Sequence, residues 1–282
     1  MTEPHVLLLI DASPTSRSAL ASAARLARHQ HCELVALFIE DQDLHASAGH
    51  PFTREISALS GESRPFDREI LLIRLAQQRR QIEMLMASLD RQDRQDRLGW
   101  RLDVVSGPVI DNIRQAALGA EWVVLGKAGW SASRGGRLGS TARQMVETTR
   151  SRLLLWQEDA FAPQAAIVAL VHHMGDCGPG IETARLLALA TDRNVRLFLM
   201  PDVDPASLPA LASWQQQEGP QVTVERLADQ GLETLCRALK VKPAAALVID
   251  DRGAFALGLP MADLIAQIDI PIIRVPSPAE PA

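Results

Sequence analysis

Short aliphatic runs separated by stretches of helical spacing dominate the first half of the chain. Val6–Ile10 is a continuous apolar run that ends in Asp11-Ala12-Ser13-Pro14, and from Arg17 to Arg28 apolar residues recur every three to four positions. Strand, loop and helix follow in that order. Glu33–Ile39 is a second run without polar alternation, as expected of a strand covered on both faces in a parallel sheet. From Asp41 to Pro65 the chain holds Gly, Ser and His without periodicity and predicts a long loop. Asp67–Arg97 then carries helix formers in a three-four pattern and ends in the charged stretch DRQDRQDR. Strands at Trp100–Val105, Glu121–Leu125 and Arg152–Trp156 alternate with helices at Val109–Leu118 and Arg143–Thr149. The pattern predicts an α/β fold with an open, doubly wound, Rossmann-like sheet of five mainly parallel strands. Ligands of such sheets sit beyond the carboxyl ends of the strands.

The polar stretch Gln157–Gln164, with Pro163, interrupts this plan before it is repeated. Glu33–Asp41 corresponds to Asn194–Asp202, Ala24–Ala27 to Ala184–Leu187, and Ala120–Trp130 to Ala244–Ala254. Two copies of one domain account for the correspondence: domain 1 over residues 1–157, a linker over 158–164, and domain 2 over 165–282. The copies differ most after their second strand, where the first has residues 42–98 and the second about 203–220. The long helix is therefore expected to be reduced or lost in the second copy.

Composition narrows the function classes. Charged residues make up 22% and hydrophobic residues 47% of the 282, which is globular and excludes a disordered chain. With 29 Lys plus Arg against 34 Asp plus Glu, the net charge of -5 offers no field for a polyanion, so nucleic acid is not expected as a partner. The early apolar run is too short for a signal or a membrane span, and a cytoplasmic protein is expected. Cys32, Cys177 and Cys236 are widely spaced and form no C-x-x-C, which argues for reduced thiols.

One loop carries the candidate chemistry. Between a strand and a helix, Gly126, Gly129, Gly139 and Ser140 form the pattern G-x2-G-x9-G-S. Backbone N–H groups at a helix start hold phosphate well, aided by the helix dipole, and glycine lets the backbone approach closely. The Ser140 and Thr141 hydroxyls add donors, and Lys127, Arg134 and Arg137 add local positive charge in an acidic chain. The competing reading is a glycine-rich loop without a ligand. A P-loop and a G-x-G-x-x-G fingerprint are both missing, which disfavours a P-loop ATPase or a standard dinucleotide enzyme.

This spacing, with strand-Asp-x-Ser-Pro at Val6–Pro14, resembles the universal stress protein (UspA) family, and the whole chain looks like a tandem member, more strongly over 5–156 than over 165–276. The resemblance implies an ATP-binding first domain. Asp11, Ala12 and Ser13 would lie by the adenine and ribose, Ile39 would line the adenine slot, and Gly126, Gly129, Gly139, Ser140 and Thr141 would contact ribose and phosphates. It also implies pairing of last strands, with Leu153–Trp156 and Ile272–Val275 as candidates. The sequence departs from the family at Lys127-Ala128, between the first two glycines, and at Ser151-Arg152 before the last strand.

The second copy lacks the motif. Asp250 stands where the first has Gly126, and Gly258-Leu259-Pro260 where the first has Gly139-Ser140. Asp250 would repel phosphate and Pro260 removes a donor, so this copy is expected not to bind ATP and to serve as an internal pairing partner. His172, His173, Asp176 and Cys177 cluster after a strand, but no second ligand group stands at supporting spacing, so they read as a polar loop and no protein metal site is expected. Asp11, Glu40 and Asp41 could place carboxylates at neighbouring strand ends for Mg²⁺, although capping and strand ends explain them as well. No catalytic residue is assigned. The leading reading is a nucleotide-dependent regulatory protein carrying ATP, with ADP or AMP as alternatives and Mg²⁺ on the phosphates, acting on a protein partner, with homodimerisation an added option. Its rivals are a slow metal-dependent ATP hydrolase or phosphotransferase and a nucleotide-free scaffold.

Overall fold

The computed structural model describes residues 3–11, 13–50, 52–57, 60–92, 98–127, 138–157, 165–173, 177–209, 211, 214 and 219–276. The first half runs β1 (His5–Leu9), α1 (Pro14–His29), β2 (Glu33–Asp41), α2 (Gln42–Ala48), β3 (Arg54–Ile56), β4 (Ser63–Pro65), α3 (Arg68–Gln92), β5 (Trp100–Gly107), α4 (Val109–Ala116), β6 (Ala120–Gly126), α5 (Ser140–Thr148) and β7 (Arg152–Trp156). The second runs β8 (Ala166–Val171), α6 (Gly178–Thr191), β9 (Val195–Leu199), a 3-10 turn (Pro205–Ser207), β10 (Val222–Arg226), α7 (Leu232–Val241), β11 (Ala244–Asp250), α8 (Asp251–Ala256), α9 (Met261–Gln267) and β12 (Ile272–Val275).

All strands except β3 and β4 form one sheet of ten, in the order β10-β9-β8-β11-β12-β7-β6-β1-β2-β5. Read outward from β7 and from β12, the order is the same: last strand, fourth, first, second, third. Every neighbouring pair is parallel except β7 with β12, which run antiparallel with Ile272 opposite Leu155 and Arg274 opposite Leu153. The stretches Leu153–Trp156 and Ile272–Val275 thus join the halves. Helices cover both faces, which is why Val6, Leu7, Leu8, Val123, Val248 and Ile273 are wholly buried and why these strands read as unbroken apolar runs.

Polar side chains add to this joint. The Arg274 guanidinium donates to both Asp251 carboxylate oxygens (2.7 and 2.9 Å) and to the Thr149 carbonyl (2.8 Å). Arg152 Nε donates to Thr183 Oγ1 at 3.1 Å, and Arg143 pairs with Asp263 at 3.2 Å.

Local chemistry accounts for the boundaries. Ser13 caps α1, its hydroxyl accepting from Ser16 N at 3.1 Å, and Pro14 begins the helix, three residues before the apolar periodicity. The stretch from Asp41 to Pro65 is not a plain loop: Asp41 caps α2 through Asp43 N (2.9 Å), and β3 and β4 form a short hairpin. Both elements are too short for a hydrophobic period to show. Leu71, Leu75, Ile82, Met86 and Leu89 make the buried stripe of α3. In the second half Pro209, Leu211 and Trp214, between β9 and β10, are helical, within a much shorter stretch of chain. Asp251–Ala256 form α8, which Asp250 caps through Gly253 N at 2.6 Å. Among the described residues no helix is long and apolar enough to cross a membrane.

Candidate functional site

The chain leaves β1 for β2 on one side of the sheet and returns to β6 on the other, so β1 and β6 flank the point where strand order reverses. A cleft opens there, beyond the carboxyl ends of the strands, as expected for this topology. Leu9, Ile10, Leu37, Ile39, Val109 and Leu125 make its apolar wall. Asp11, Ser13, Ser16, Gly126, Gly139, Ser140 and Thr141 make its polar rim. Seven residues singled out in the sequence therefore share one cavity: Asp11, Ser13, Ile39, Gly126, Gly139, Ser140 and Thr141. Ala12, Gly129, Arg134 and Arg137 lie outside the described residues, as do Trp130 and the linker over 158–164.

The α5 start faces the cleft. Gly139 caps the helix in extended conformation, with φ -68° and ψ 156°, and without a side-chain capping bond. The first N–H groups of a helix have no intrahelical partner, and here they belong to residues at the cleft wall. The loop root is fixed on both sides: Gly139 N donates to the Lys127 carbonyl (2.9 Å), and Lys127 N donates to the Trp156 carbonyl (2.7 Å). Opposite, Asp11 Oδ1 accepts from Ser13 N at 3.1 Å and from the Ser16 hydroxyl, so this carboxylate shapes the β1–α1 turn while it lines the cleft. Ser16, Val109, Leu9, Leu37 and Leu125 were not singled out as site residues in the sequence; Ser16, at the third helical position beyond the Ser13 cap, was the readable signal among them.

Lys127 is a correction. Its ammonium does not join the cleft but is buried against the second half, donating to the Ile268 carbonyl and to Gln157 Oε1 (3.2 Å). A strand pleat turns alternate side chains to opposite faces, so a residue beside Gly126 points away from what Gly126 faces. Glu40 accepts from Ser106 Oγ at 3.2 Å and Asp41 caps α2. Among the described residues these two do not join Asp11 in a group able to hold a metal ion.

In the second half the equivalent strand ends carry side chains that meet one another. Asp250, at the end of β11, accepts from Gly253 N and contacts His172 Nε2 at 2.7 Å, and the Cys177 thiol donates to the His172 carbonyl at 3.1 Å. Burial of the His172 ring opposes its protonation, but the Asp250 and Cys177 contacts outweigh it and raise its pKa from 6.5 to about 9. Gly253 permits the packing, since a Cβ there would stand 3.1 Å from His172 Cδ2.

Residues 4–155, which contain β1, β6 and the glycine motif, match the universal stress protein family. The chain belongs to the universal stress protein family. Among solved structures it is similar to a universal stress protein from Archaeoglobus fulgidus DSM 4304, with 14% identity, 98% of this chain and 97% of that one covered, and a TM-score of 0.64. It is also similar to a functionally unknown protein from Pseudomonas aeruginosa PAO1 (13% identity, 96% and 92% covered, TM-score 0.58). A putative universal stress protein from Pseudomonas aeruginosa UCBPP-PA14 gives 12% identity, the same coverage and a TM-score of 0.57. At these identities the likeness is one of fold, and it extends across both halves. No curated protein matches the sequence. Membership places the chain among stress-response proteins.

Proposed function

We propose that the first half binds an adenine nucleotide, ATP foremost, and that the protein is a nucleotide-dependent regulator of the cytosolic stress response. The observation that carries this reading is the meeting of two surfaces in one cleft. An apolar slot of Ile10, Leu37 and Ile39 suits a base, and across it Gly126 and the open start of α5 at Gly139, Ser140 and Thr141 suit a phosphate tail. Mg²⁺ would accompany the phosphates. The second half acts as internal pairing partner through β7 and β12.

Asp11 spends a carboxylate oxygen on the β1–α1 turn, which favours carrying over catalysis, so turnover is slow at most. Nucleotide occupancy acts by favouring one of two states of the protein that bind ATP differently, and so changes affinity for a protein partner. The test is to denature the purified protein and identify released nucleotide by mass spectrometry, alongside calorimetric titration of emptied protein with ATP. One equivalent of adenine nucleotide is expected. Protein that releases none and takes up no ATP overturns the reading. Rapid Mg²⁺-dependent ADP formation that disappears in Asp11→Ala would replace it with a hydrolase.

A further inference from the structure

The second half keeps the crevice but changes its chemistry. His172 follows β8, Asp250 ends β11 and Cys177 precedes α6, so three elements bring an imidazole, a carboxylate and a thiol to one place. One donor atom from each lies within 4.8 Å of the others, and all three residues are buried. The neighbouring imidazole, His173, turns instead to Asp202 at 2.7 Å.

The geometry points to a zinc site formed by His172, Cys177 and Asp250. Nitrogen, sulfur and a single carboxylate form a donor set suited to zinc, whereas magnesium and calcium take oxygen ligands. Three protein ligands leave the fourth position of a tetrahedral ion to water or a small ligand. The donors stand on strand ends and a helix start rather than on one loop, and Gly253 N donates to Asp250 Oδ1, the same oxygen that meets His172, which leaves Oδ2 as the further carboxylate donor. Ligands on a tetrahedral zinc lie about 3.3 Å apart for bonds near 2.0–2.1 Å, so the His172–Asp250 pair opens by roughly half an ångström as the sulfur closes in. The Cys177 thiol proton, now donated in a hydrogen bond to the His172 carbonyl, and the proton between His172 Nε2 and Asp250 both pass to solvent as the ion binds. No atom of the first-half cleft is involved, so this inference stands apart from nucleotide binding.

Cobalt(II) is the probe. Full-length protein stripped of metal is titrated with Co²⁺, then Zn²⁺. One equivalent of cobalt is expected, with a near-ultraviolet sulfur-to-cobalt band and the visible bands of four-coordination, all removed by zinc. Cys177→Ser should abolish the near-ultraviolet band, and His172→Gln and Asp250→Asn should each weaken binding by about tenfold or more. Replacing Cys32 and Cys236 together by Ser should leave the band in place. Circular dichroism of Cys177→Ser, expected to match the parent, separates ligand loss from misfolding. A wild-type protein with no band, or a band that survives Cys177→Ser, overturns the site.

Discussion

The two crevices of this protein occupy equivalent places in one repeated topology and hold opposite chemistry. In the first half β1 is followed by Ile10 and Asp11 and β6 ends at Gly126, which has no side chain, and a cleft lies between them and α5. In the second the corresponding strands end beside His172 and at Asp250, whose side chains meet. A helix follows in both. In the first, α5 starts at Gly139 without a side-chain cap; in the second Asp250 caps α8, and α9, which follows Gly258-Leu259-Pro260 as α5 follows Gly139, also starts without a side-chain cap. The two corresponding helix starts are alike, and the difference lies at the strand end, where Asp250 meets His172 and Gly253 N and Gly126 offers no side chain. The comparison teaches that topology sets where a site can be and a few residues decide whether it exists.

The joint is the part both halves share, and breaking it should have the largest effect. Ile273 is wholly buried opposite Leu154, so Ile273→Asp places a charge there without a partner. A loss of about 4 kcal/mol or more is expected in urea unfolding, with both halves affected. Next, Ser140→Asp sets a carboxylate at the open helix start and should lower ATP affinity by about a hundredfold by calorimetry. An acidic residue in the first turn of a helix is itself stabilising, so the melting temperature should not fall. A variant that still binds ATP normally would remove the phosphate role from α5.

Lys127→Met comes third. It leaves the Ile268 carbonyl without its buried donor and should cost about 1–3 kcal/mol in unfolding, with ATP affinity changed less than about tenfold. A collapse of affinity with unchanged stability would return the ammonium to the phosphates. The smallest effect is expected for Asp250→Ala on nucleotide, less than about twofold, because the two crevices are separate sites with no shared partner. Conversion of the second crevice into an ATP site by this change would show that Asp250 alone excludes the nucleotide.

The sequence reveals features whose cause is local. The run Val6–Ile10 followed by Asp-Ala-Ser-Pro carries its own strand, turn and cap, and Gly139-Ser140 marks a helix start because capping acts over three or four residues. The stripe of α3 is visible for the same reason: its burial follows one helical period. Where an element is too short to show a period, the pattern fails. The helix α2 and the β3–β4 hairpin are held by a cap and two short strand segments, and no window of apolar residues announces them. Lys127 fails differently. Its place beside Gly126 suggested phosphate contact, yet a side chain one residue along a strand end faces the other way and meets Ile268 of the other half.

What the amino-acid sequence determined by itself was the fold class, the repeated β-α order and the chemistry concentrated between Gly126 and Thr141, because backbone freedom, hydrophobic period and capping act between near neighbours. Tertiary structure decided the rest. It set Ile39 and Asp11 across from Ser140, turned Lys127 to the second half, and brought Asp250 to His172 and Cys177. These meetings depend on strand order and register across a ten-stranded sheet, and residues distant in the chain become neighbours only once that sheet has formed.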